Sequence, residues 1–320
     1  MSTQPRTLLL IISAAVALAC ACSSPTSEPT APAPVATAPV DAPDAAAPVD
    51  TPDPRLAGRP YTVHVPKTYD AAKPAPLVLA FHGYGDGDDG ALLEKYFRIT
   101  PVSDAKGFLY VTPNGTKDSL DERFWNGTDA CCDFDKKNPD DVGYIRALVA
   151  DVAKHHAVDP KRVYALGLSG GAFFVHRLAC EASDLFAGII SVSGATYQDD
   201  ARCKPKAGLA LAEIHGDQDD TVKYAGGELD YLGSMAKYPS AHDTVAHWAA
   251  HDGCTGALAP AGTLDLVADL EGNETTVERY GACAKGDVEL WTVKGGVHAP
   301  LFGPTFAPAL WSFFEAHPKP

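Results

Sequence analysis

A serine set between glycines, in the stretch Gly-Leu-Ser-Gly-Gly at residues 167–171, constrains this chain more than any other feature. An apolar run at residues 163–166 precedes it, and apolar side chains at helical spacing follow it at once. This order predicts a strand, a sharp turn and a helix, with glycines where the two backbones approach closely. Such a turn exposes the serine hydroxyl beside the positive end of the helix, where an oxyanion can be stabilised. We therefore predict that Ser169 is a nucleophile.

The first 22 residues are typical of a bacterial secretory signal. Arg6 supplies positive charge, residues 8–18 are almost all apolar, and small residues follow. The apolar run is shorter than a membrane-spanning helix requires. Cys20 and Cys22 are lipidation candidates, because their surroundings resemble the site at which a bacterial lipoprotein is modified. Neither has the usual leucine three residues before it, so a soluble secreted form is the alternative to an outer-membrane lipoprotein.

Residues 23–58 consist mainly of proline, alanine, threonine and aspartate, with almost no large apolar side chains. Such a segment buries too little apolar surface to offset its ordering entropy, so we predict a disordered linker. The remaining residues, 59–320, have the size of one domain with an ample core. The predicted organisation is therefore a signal peptide, a linker and one folded domain.

The chain is acidic, with 41 Asp and Glu against 26 Lys and Arg and a formal net charge of −15. This balance argues against nucleic acid or an anionic membrane surface as a partner. It agrees with an uncharged substrate, and it leaves the lipid anchor as the single predicted membrane contact. We predict a monomer without a cofactor.

Six cysteines belong to the predicted domain: Cys131, Cys132, Cys180, Cys203, Cys254 and Cys283. An even set in an exported protein indicates three disulfides, with fifteen possible connectivities. The cysteines and histidines do not have the spacing of a zinc site, so we predict disulfides and no metal.

Alternating strand and helix patterns run through the domain. Apolar or alternating runs predict strands at residues 61–65, 76–82, 108–112, 163–166, 187–193, 209–215, 277–280 and 288–293. Helical patterns lie at residues 101–106, 142–152, 244–251 and 304–316, and directly after the serine turn. The order predicts an α/β architecture with a mostly parallel sheet covered by helices on both faces. Residues 116–139 lack a regular pattern and are expected to form a functional loop.

A serine nucleophile needs a base and a group that orients the base. In α/β-hydrolases the order along the chain is serine, acid, histidine, each after a strand. Asp217, Asp219 and Asp220 follow the strand at 209–215 and are the candidate acids. His298 follows the strand at 288–293 and two glycines, and we predict that it is the base.

The oxyanion requires two backbone N–H donors, one from the residue after the serine and one from an earlier loop. Gly170 is the first. The stretch Phe-His-Gly-Tyr-Gly at residues 81–85 ends a predicted buried strand in a glycine-flanked turn, so the Tyr84 N–H is the predicted second donor.

Seven short motifs occur in one order along the domain. They are Phe-His-Gly-Tyr-Gly-Asp at 81–86, Val-Thr-Pro-Asn-Gly at 111–115, Phe-Trp-Asn at 124–126, Asp-Asp-Val-Gly-Tyr-Ile at 140–145, the serine turn, Ile-His-Gly-x-x-Asp-x-x-Val at 214–222, and Gly-Gly-Val-His at 295–298. Together they resemble the family of secreted bacterial polyhydroxybutyrate depolymerases and feruloyl or acetylxylan esterases, a branch of the first carbohydrate esterase family. The resemblance covers essentially all of residues 59–320.

This resemblance implies an α/β-hydrolase fold, Asp219 as the acid of the triad and His298 as the general base. It also implies two disulfides, Cys180 with Cys203 and Cys254 with Cys283, which leaves Cys131 and Cys132 as a vicinal pair. The sequence departs from the family around the histidine, where Val297 replaces a frequent third glycine and residues 299–301 are Ala-Pro-Leu instead of an early aromatic. The departure leaves the shape of the substrate pocket open.

The predicted function is a secreted serine esterase that acts through an acyl-enzyme. Feruloyl or acetyl esters of plant polysaccharide are the expected substrates, and a short-chain polyester such as polyhydroxybutyrate is the alternative. Trp125 and His215 are predicted substrate contacts, although Trp125 suits a buried structural role equally well. An inactive surface binding protein on the same fold is the alternative of another class, and complete catalytic motifs argue against it.

Overall fold

The computed structural model describes residues 53–86, 90–231 and 234–320. The predicted signal peptide, Cys20, Cys22 and residues 23–52 of the predicted linker lie outside these ranges. The strands are β1 (Tyr61–His64), β2 (Ala75–Phe81), β3 (Leu109–Pro113), β4 (Thr116–Lys117), β5 (Arg123–Phe124), β6 (Val158–Leu168), β7 (Gly188–Val192), β8 (Ala210–Gly216), β9 (Gly227–Tyr231), β10 (Ser234–Tyr238), β11 (Ala259–Leu264), β12 (Thr275–Arg279) and β13 (Val288–Val293). The helices are α1 (Ala91–Phe97), α2 (Ile99–Lys106), α3 (Asp141–His155), α4 (Gly170–Ala182), α5 (Ala241–Asp252) and α6 (Phe306–Ala316).

Nine strands form the central sheet in the order β1-β3-β2-β6-β7-β8-β13-β12-β11. The six strands from β3 to β13 are parallel, whereas β1 at one edge and β12 and β11 at the other are antiparallel to their neighbours. This arrangement confirms the predicted α/β fold with a mostly parallel sheet. It also brings the carboxyl ends of β2, β6, β8 and β13 to one edge, where the predicted site residues lie.

Helices cover both faces of the sheet, which explains why central strands such as β2 are apolar throughout. Alternate residues of β2 enter two different cores: Leu77 and Leu79 face one core, and Val78 and Ala80 face the other. The first core is completed by α3, α4 and α5, and the second by α1, α2 and α6. Every residue of β2 is buried, as a strand with helices on both faces requires.

Two predicted boundaries were wrong. The serine strand begins at Val158 instead of after Pro160, because a register shift against β2 between Ala75 and Leu77 accommodates the proline within the strand. Residues 53–58, predicted as linker, contain a 3₁₀-helix at Pro54–Leu56, and Leu56 packs against the core. The packing of the partly buried Leu56 against the core explains why this segment is ordered.

The sequence analysis also missed α1, β11, the β9–β10 hairpin and the two-residue strands β4 and β5. The last two lie within the predicted irregular loop at 116–139 and are too short to give a periodic pattern. Strand β9 reads Gly-Glu-Leu-Asp-Tyr, in which one apolar residue stands between two acids. Its pairing with β10 organises this segment, and that pairing is visible only in the structure.

Three disulfides join the six cysteines of the domain: Cys180 with Cys203, Cys254 with Cys283, and the vicinal pair Cys131 with Cys132. The pairing implied by the family resemblance is thereby confirmed. Among the described residues, the helices are all too short or too polar to cross a membrane.

Candidate active site

Ser169 lies at the turn between β6 and α4, directly before the first residue of the helix. Its φ of 52° is in the left-handed region that side chains rarely adopt. The glycines at 167 and 171 make the turn possible, because a Cβ on Gly167 would overlap the Gly171 carbonyl and one on Gly171 would overlap the Phe81 carbonyl. The turn is therefore the strained elbow that the sequence predicted.

His298 reaches Ser169 from the loop that follows β13. Its Nε2 lies 2.9 Å from Ser169 Oγ, and its Nδ1 lies 2.8 Å from Asp219 Oδ2. The loop is held in place at the carbonyl of His298, which accepts a hydrogen bond of 2.8 Å from Ser193 Oγ. A hydroxyl, an imidazole and a carboxylate thus form one hydrogen-bonded line.

Of the three candidate acids, Asp219 is the one that contacts His298. Its second oxygen, Oδ1, accepts hydrogen bonds from the N–H groups of Thr221 and Val222 at 2.9 and 2.8 Å. Burial favours the protonated carboxyl, but hydrogen bonds from His215 and His298 outweigh it and hold the pKa of Asp219 far below its ordinary value. The carboxylate is therefore ionised at neutral pH.

The other two acids have different positions. Asp217 accepts a hydrogen bond of 2.7 Å from the Gly295 N–H, so it supports the loop that carries His298. Asp220 is exposed and lines the cleft above the triad. Ser193 and Asp217 were missed as supports of this loop. The sequence did contain a signal for both residues, because each lies at or just after the end of a predicted parallel strand and such strands end at the same edge of the sheet.

The two predicted oxyanion donors lie side by side. A Cβ built on Gly170 would stand 3.2 Å from the Tyr84 nitrogen, and one built on Gly83 would stand 3.5 Å from Ser169 Cβ. The loop therefore packs directly over the serine. Asp86 folds it back, because its Oδ2 accepts a hydrogen bond of 2.6 Å from the Gly83 N–H. Burial raises the pKa of Asp86 against the effect of this bond.

The structure places the two predicted substrate contacts away from the cleft. Trp125 is fully buried and stacks on Phe174, with ring centroids 4.9 Å apart. Trp125 is therefore a core residue, in agreement with the buried structural role that was the alternative to substrate contact. His215 is 2 % exposed and lies behind Asp219, with its Nε2 3.3 Å from Asp219 Oδ2. The prediction of His215 as a substrate contact was wrong, because His215 belongs to β8 and its side chain is buried in the protein.

A cleft of about 650 Å³ opens over Ser169 and His298. Its aromatic lining consists of Tyr84, Tyr96, Phe134, Phe173 and Tyr238, and its charged lining consists of Asp86, Asp220, Lys223, Glu228 and Asp230. The vicinal disulfide contributes Cys131. Much of the wall comes from α1 and the β9–β10 hairpin, the elements that the sequence analysis missed. In the part of the chain that the structure describes, histidine, cysteine and acidic side chains form no metal-binding cluster.

A family model described as esterase PHB depolymerase matches residues 60–247, more than half of the chain. Feruloyl esterase B of Piromyces equi is 27% identical over 246 residues, which cover 75% of this chain and 42% of that protein. The putative esterase NocK of Nocardia uniformis subsp. tsuyamanensis is 31% identical over 232 residues, which cover 68% of this chain and 64% of that protein. The matches thus span less than two thirds of the length of either relative.

Solved structures share the fold at lower sequence identity. The acetyl xylan esterase from Aspergillus awamori superposes with a TM-score of 0.56 at 16% identity, over 81% of this chain and 94% of that chain. At this identity the likeness establishes a common fold and nothing further.

Proposed function

This chain belongs to the esterase PHB depolymerase family, and from that premise we propose that it is a serine carboxylic-ester hydrolase. The observation that carries the proposal is the unbroken hydrogen-bonded line from Ser169 through His298 to Asp219, with distances of 2.9 and 2.8 Å. A serine in a strained elbow has no evident use in a protein that only binds, so the geometry favours an enzyme over an inactive binding module.

In the proposed mechanism, Ser169 Oγ attacks the ester carbonyl while His298 Nε2 takes its proton. Asp219 holds the imidazole through Nδ1 and stabilises the imidazolium that forms. The Tyr84 and Gly170 N–H groups donate to the oxyanion. Collapse of this intermediate transfers the proton from His298 to the leaving alcohol and leaves an acyl-serine. Water, deprotonated by His298, then attacks the acyl-serine. The second intermediate expels Ser169 Oγ, which takes the proton back from His298, and the acid is released.

We propose feruloyl or acetyl esters of plant polysaccharide as the substrates. The cleft has space for a phenolic acyl group and part of a sugar. Its aromatic walls, among them Tyr96 and Phe173, suit a planar ring because aromatic groups pair edge to face or offset. Its charged lining is mainly acidic, which favours neutral esters over anionic ones.

A short-chain polyester such as polyhydroxybutyrate is the second candidate substrate. Three exposed apolar side chains favour it: Leu92 lines the cleft, while Val297 and Leu301 lie close to His298 along the chain. Val297 and Leu301 are 51 % and 59 % exposed. Exposed apolar groups beside a catalytic cleft are suited to contact a water-insoluble polymer.

The test uses the full chain, exported so that its disulfides form, beside a Ser169→Ala variant. Both are assayed on p-nitrophenyl acetate, methyl ferulate, acetylated xylan and hydroxybutyrate oligomers. We expect turnover by the wild type that is lost in the variant, with the ranking of substrates naming the class. A folded wild type without turnover on any of the four would contradict the esterase proposal.

Export and anchoring form a separate part of the proposal, which the N-terminal sequence supports. We propose a secreted protein, attached to the outer membrane if Cys20 or Cys22 is lipidated. Labelling of cells with radioactive palmitate, for the wild type and for Cys20→Ala and Cys22→Ala variants, distinguishes an anchored from a free form. Size-exclusion chromatography of the exported protein tests the predicted monomer.

A further inference from the structure

A chain of buried polar side chains continues behind the catalytic acid. His215 Nε2 lies 2.7 Å from the Val222 carbonyl oxygen and 3.3 Å from Asp219 Oδ2. On the other side of the ring, His215 Nδ1 lies 3.2 Å from Glu213 Oε1. Glu213 Oε2 in turn lies 3.1 Å from His176 Nε2. His215 is 2 % exposed, while Glu213 and His176 are fully buried, so water does not screen their charges.

The proton positions at the far end of this chain follow from a tryptophan. The indole N–H of Trp248 can only donate, and it lies 3.0 Å from His176 Nδ1. His176 Nδ1 therefore carries a lone pair, and the proton of this neutral ring is on Nε2. That proton is donated to Glu213 Oε2, so Glu213 is an acceptor at this oxygen.

At the near end, His215 Nε2 faces two acceptors, the Val222 carbonyl and the Asp219 carboxylate, so it must carry a proton. One further proton lies between His215 Nδ1 and Glu213 Oε1. The negative charge of Asp219 favours its position on the imidazole. Burial favours the neutral ring, but hydrogen bonds with Asp219 and Glu213 outweigh it and raise the pKa of His215 to about 9. Burial likewise opposes ionisation of Glu213, and its two histidine partners nevertheless lower its pKa.

We propose that His215 is an imidazolium at neutral pH and acts through the catalytic acid: it keeps Asp219 ionised and aimed at His298, and it offsets part of the negative charge that His298 experiences. This inference rests on the proposed triad. His215 is thus a positioning residue, because it touches Asp219 and does not reach the cleft.

A consequence for the pH dependence follows from this arrangement. A carboxylate beside the catalytic histidine favours protonation of that histidine, which removes the base. A cation in contact with the far side of Asp219 weakens this effect, so activity persists to lower pH. Other charged and titratable groups also face these side chains. Asp86 interacts with His298, and the ring of Tyr224 lies edge-on to His215, with its hydroxyl bound to Thr292 and in contact with His242.

The first test is His215→Gln, which removes the charge and keeps an amide donor for the Val222 carbonyl. We expect the acid-side midpoint of the kcat/KM profile to rise by about 0.5 to 1 pH unit, which is roughly a three- to tenfold loss of kcat/KM on the acid limb. His242→Gln is the matched control, since His242 is exposed and contacts this region through the ring and the hydroxyl of Tyr224. The proposal would be overturned if the His215→Gln enzyme folds and its acid-side midpoint is the same as that of His242→Gln.

The second test does not need a folded variant or any activity. The wild-type full chain is labelled with ¹⁵N-histidine, and the His215 resonances are assigned through their NOEs to the Tyr224 ring. At pH 7.5 we expect both ring nitrogens of His215 to give the shifts of a protonated imidazolium. A neutral tautomer at that pH would overturn the proposal. Activity that persists in Ser169→Ala would instead refute the proposed triad, and the two failures are thereby distinguished.

Discussion

Two aspartates of this molecule are buried to a similar degree and have pKa values shifted in opposite directions. Asp219 is 6 % exposed and its carboxylate meets two backbone N–H groups and two histidines. Asp252, the last residue of α5, is 1 % exposed, and neither of its oxygens has a hydrogen-bond partner of standard geometry among the residues that the structure describes. Its carboxyl lies between two glycines. A Cβ on Gly208 would stand 2.8 Å from Oδ1, and a Cβ on Gly286 would stand 2.9 Å from Oδ2.

The pKa values of Asp219 and Asp252 differ because of their hydrogen-bond donors and not because of how deeply the two side chains are buried. Burial raises the pKa of Asp252 to about 7, although the positive charge of Lys285 opposes the shift. The pKa of Asp219 is far below its ordinary value, because its hydrogen bonds outweigh the same burial effect. Burial thus raises the pKa of each carboxyl, and the hydrogen bonds and charges around it decide whether that rise is outweighed.

A third aspartate, Asp141 at the start of α3, lies between these two cases. Its side chain is fully buried and pairs with Arg59, whose Nη1 lies 2.6 Å from Asp141 Oδ1. The N–H of Asn126 donates to Oδ2 at 2.7 Å. Burial nonetheless raises the pKa of Asp141, despite the charge of Arg59. The comparison therefore predicts three different responses to substitution.

The largest expected effect is on activity, at Asp219. Asp219→Asn should lower kcat/KM for p-nitrophenyl acetate by about 10⁴-fold, because the amide favours the wrong tautomer of His298. Asp252→Asn, at the other buried aspartate, should retain the wild-type rate. Steady-state assays of the two variants, with circular dichroism to verify folding, make the measurement. A loss below tenfold at Asp219 would show that this carboxylate does not orient the base.

The next effect is on stability, at the partner of Asp141. Arg59→Met should lower the free energy of unfolding by about 3 kcal/mol at pH 7, since it leaves a buried carboxylate without its cation. The guanidinium also lies 3.8 Å from the centroid of the Tyr144 ring, and that contact is lost as well. The loss should shrink in acid, where Asp141 becomes protonated. Chemical denaturation at pH 5 and pH 7 measures both effects.

Lys67→Met is the matched control for Arg59→Met, because Lys67 also pairs with an aspartate, Asp104, but its side chain is 86 % exposed. This surface pair should contribute less than about 0.5 kcal/mol. Equal losses in the two variants would mean that burial of the pair has no energetic consequence, contrary to the comparison.

The smallest expected effect is a gain in stability at Asp252. The pKa of its carboxyl is raised in the folded state, so the folded protein binds a proton that the unfolded chain releases above about pH 4. The wild type therefore loses stability as pH rises from about 4 to about 7, and the loss is constant above that. Asp252→Asn should remove this loss, so the variant should gain stability over the wild type above pH 7 and almost none at pH 4.

Thermal or urea unfolding at pH 4, 6 and 8 tests this gain. Asp121→Asn is the control, because the side chain of Asp121 is 80 % exposed and pairs with Lys117, four residues earlier in the chain. A gain at Asp252 that did not depend on pH would contradict the raised pKa and would indicate a packing effect instead.

The sequence alone predicted the features that depend on neighbouring residues. The elbow at Ser169 follows from two glycines, an apolar run and a helical pattern, all within a few residues. The position of His298 follows from the strand before it, and the family motifs added Asp219. The parallel sheet follows from apolar strands separated by helical patterns, because such strands must be covered on both faces.

The tertiary structure alone decided the features that depend on distant residues. Local sequence does not separate Asp217, Asp219 and Asp220. The family motif points to Asp219, and the structure gives the physical reason, which is its contact with His298, 79 residues away. Much of the wall of the cleft comes from α1 and from the β9–β10 hairpin, whose local patterns are weak. The position of His215 behind the acid depends on Glu213, His176 and Trp248, which three elements bring together. Local geometry is encoded in the residues that form it, whereas charge state and cavity shape arise only when separate segments converge.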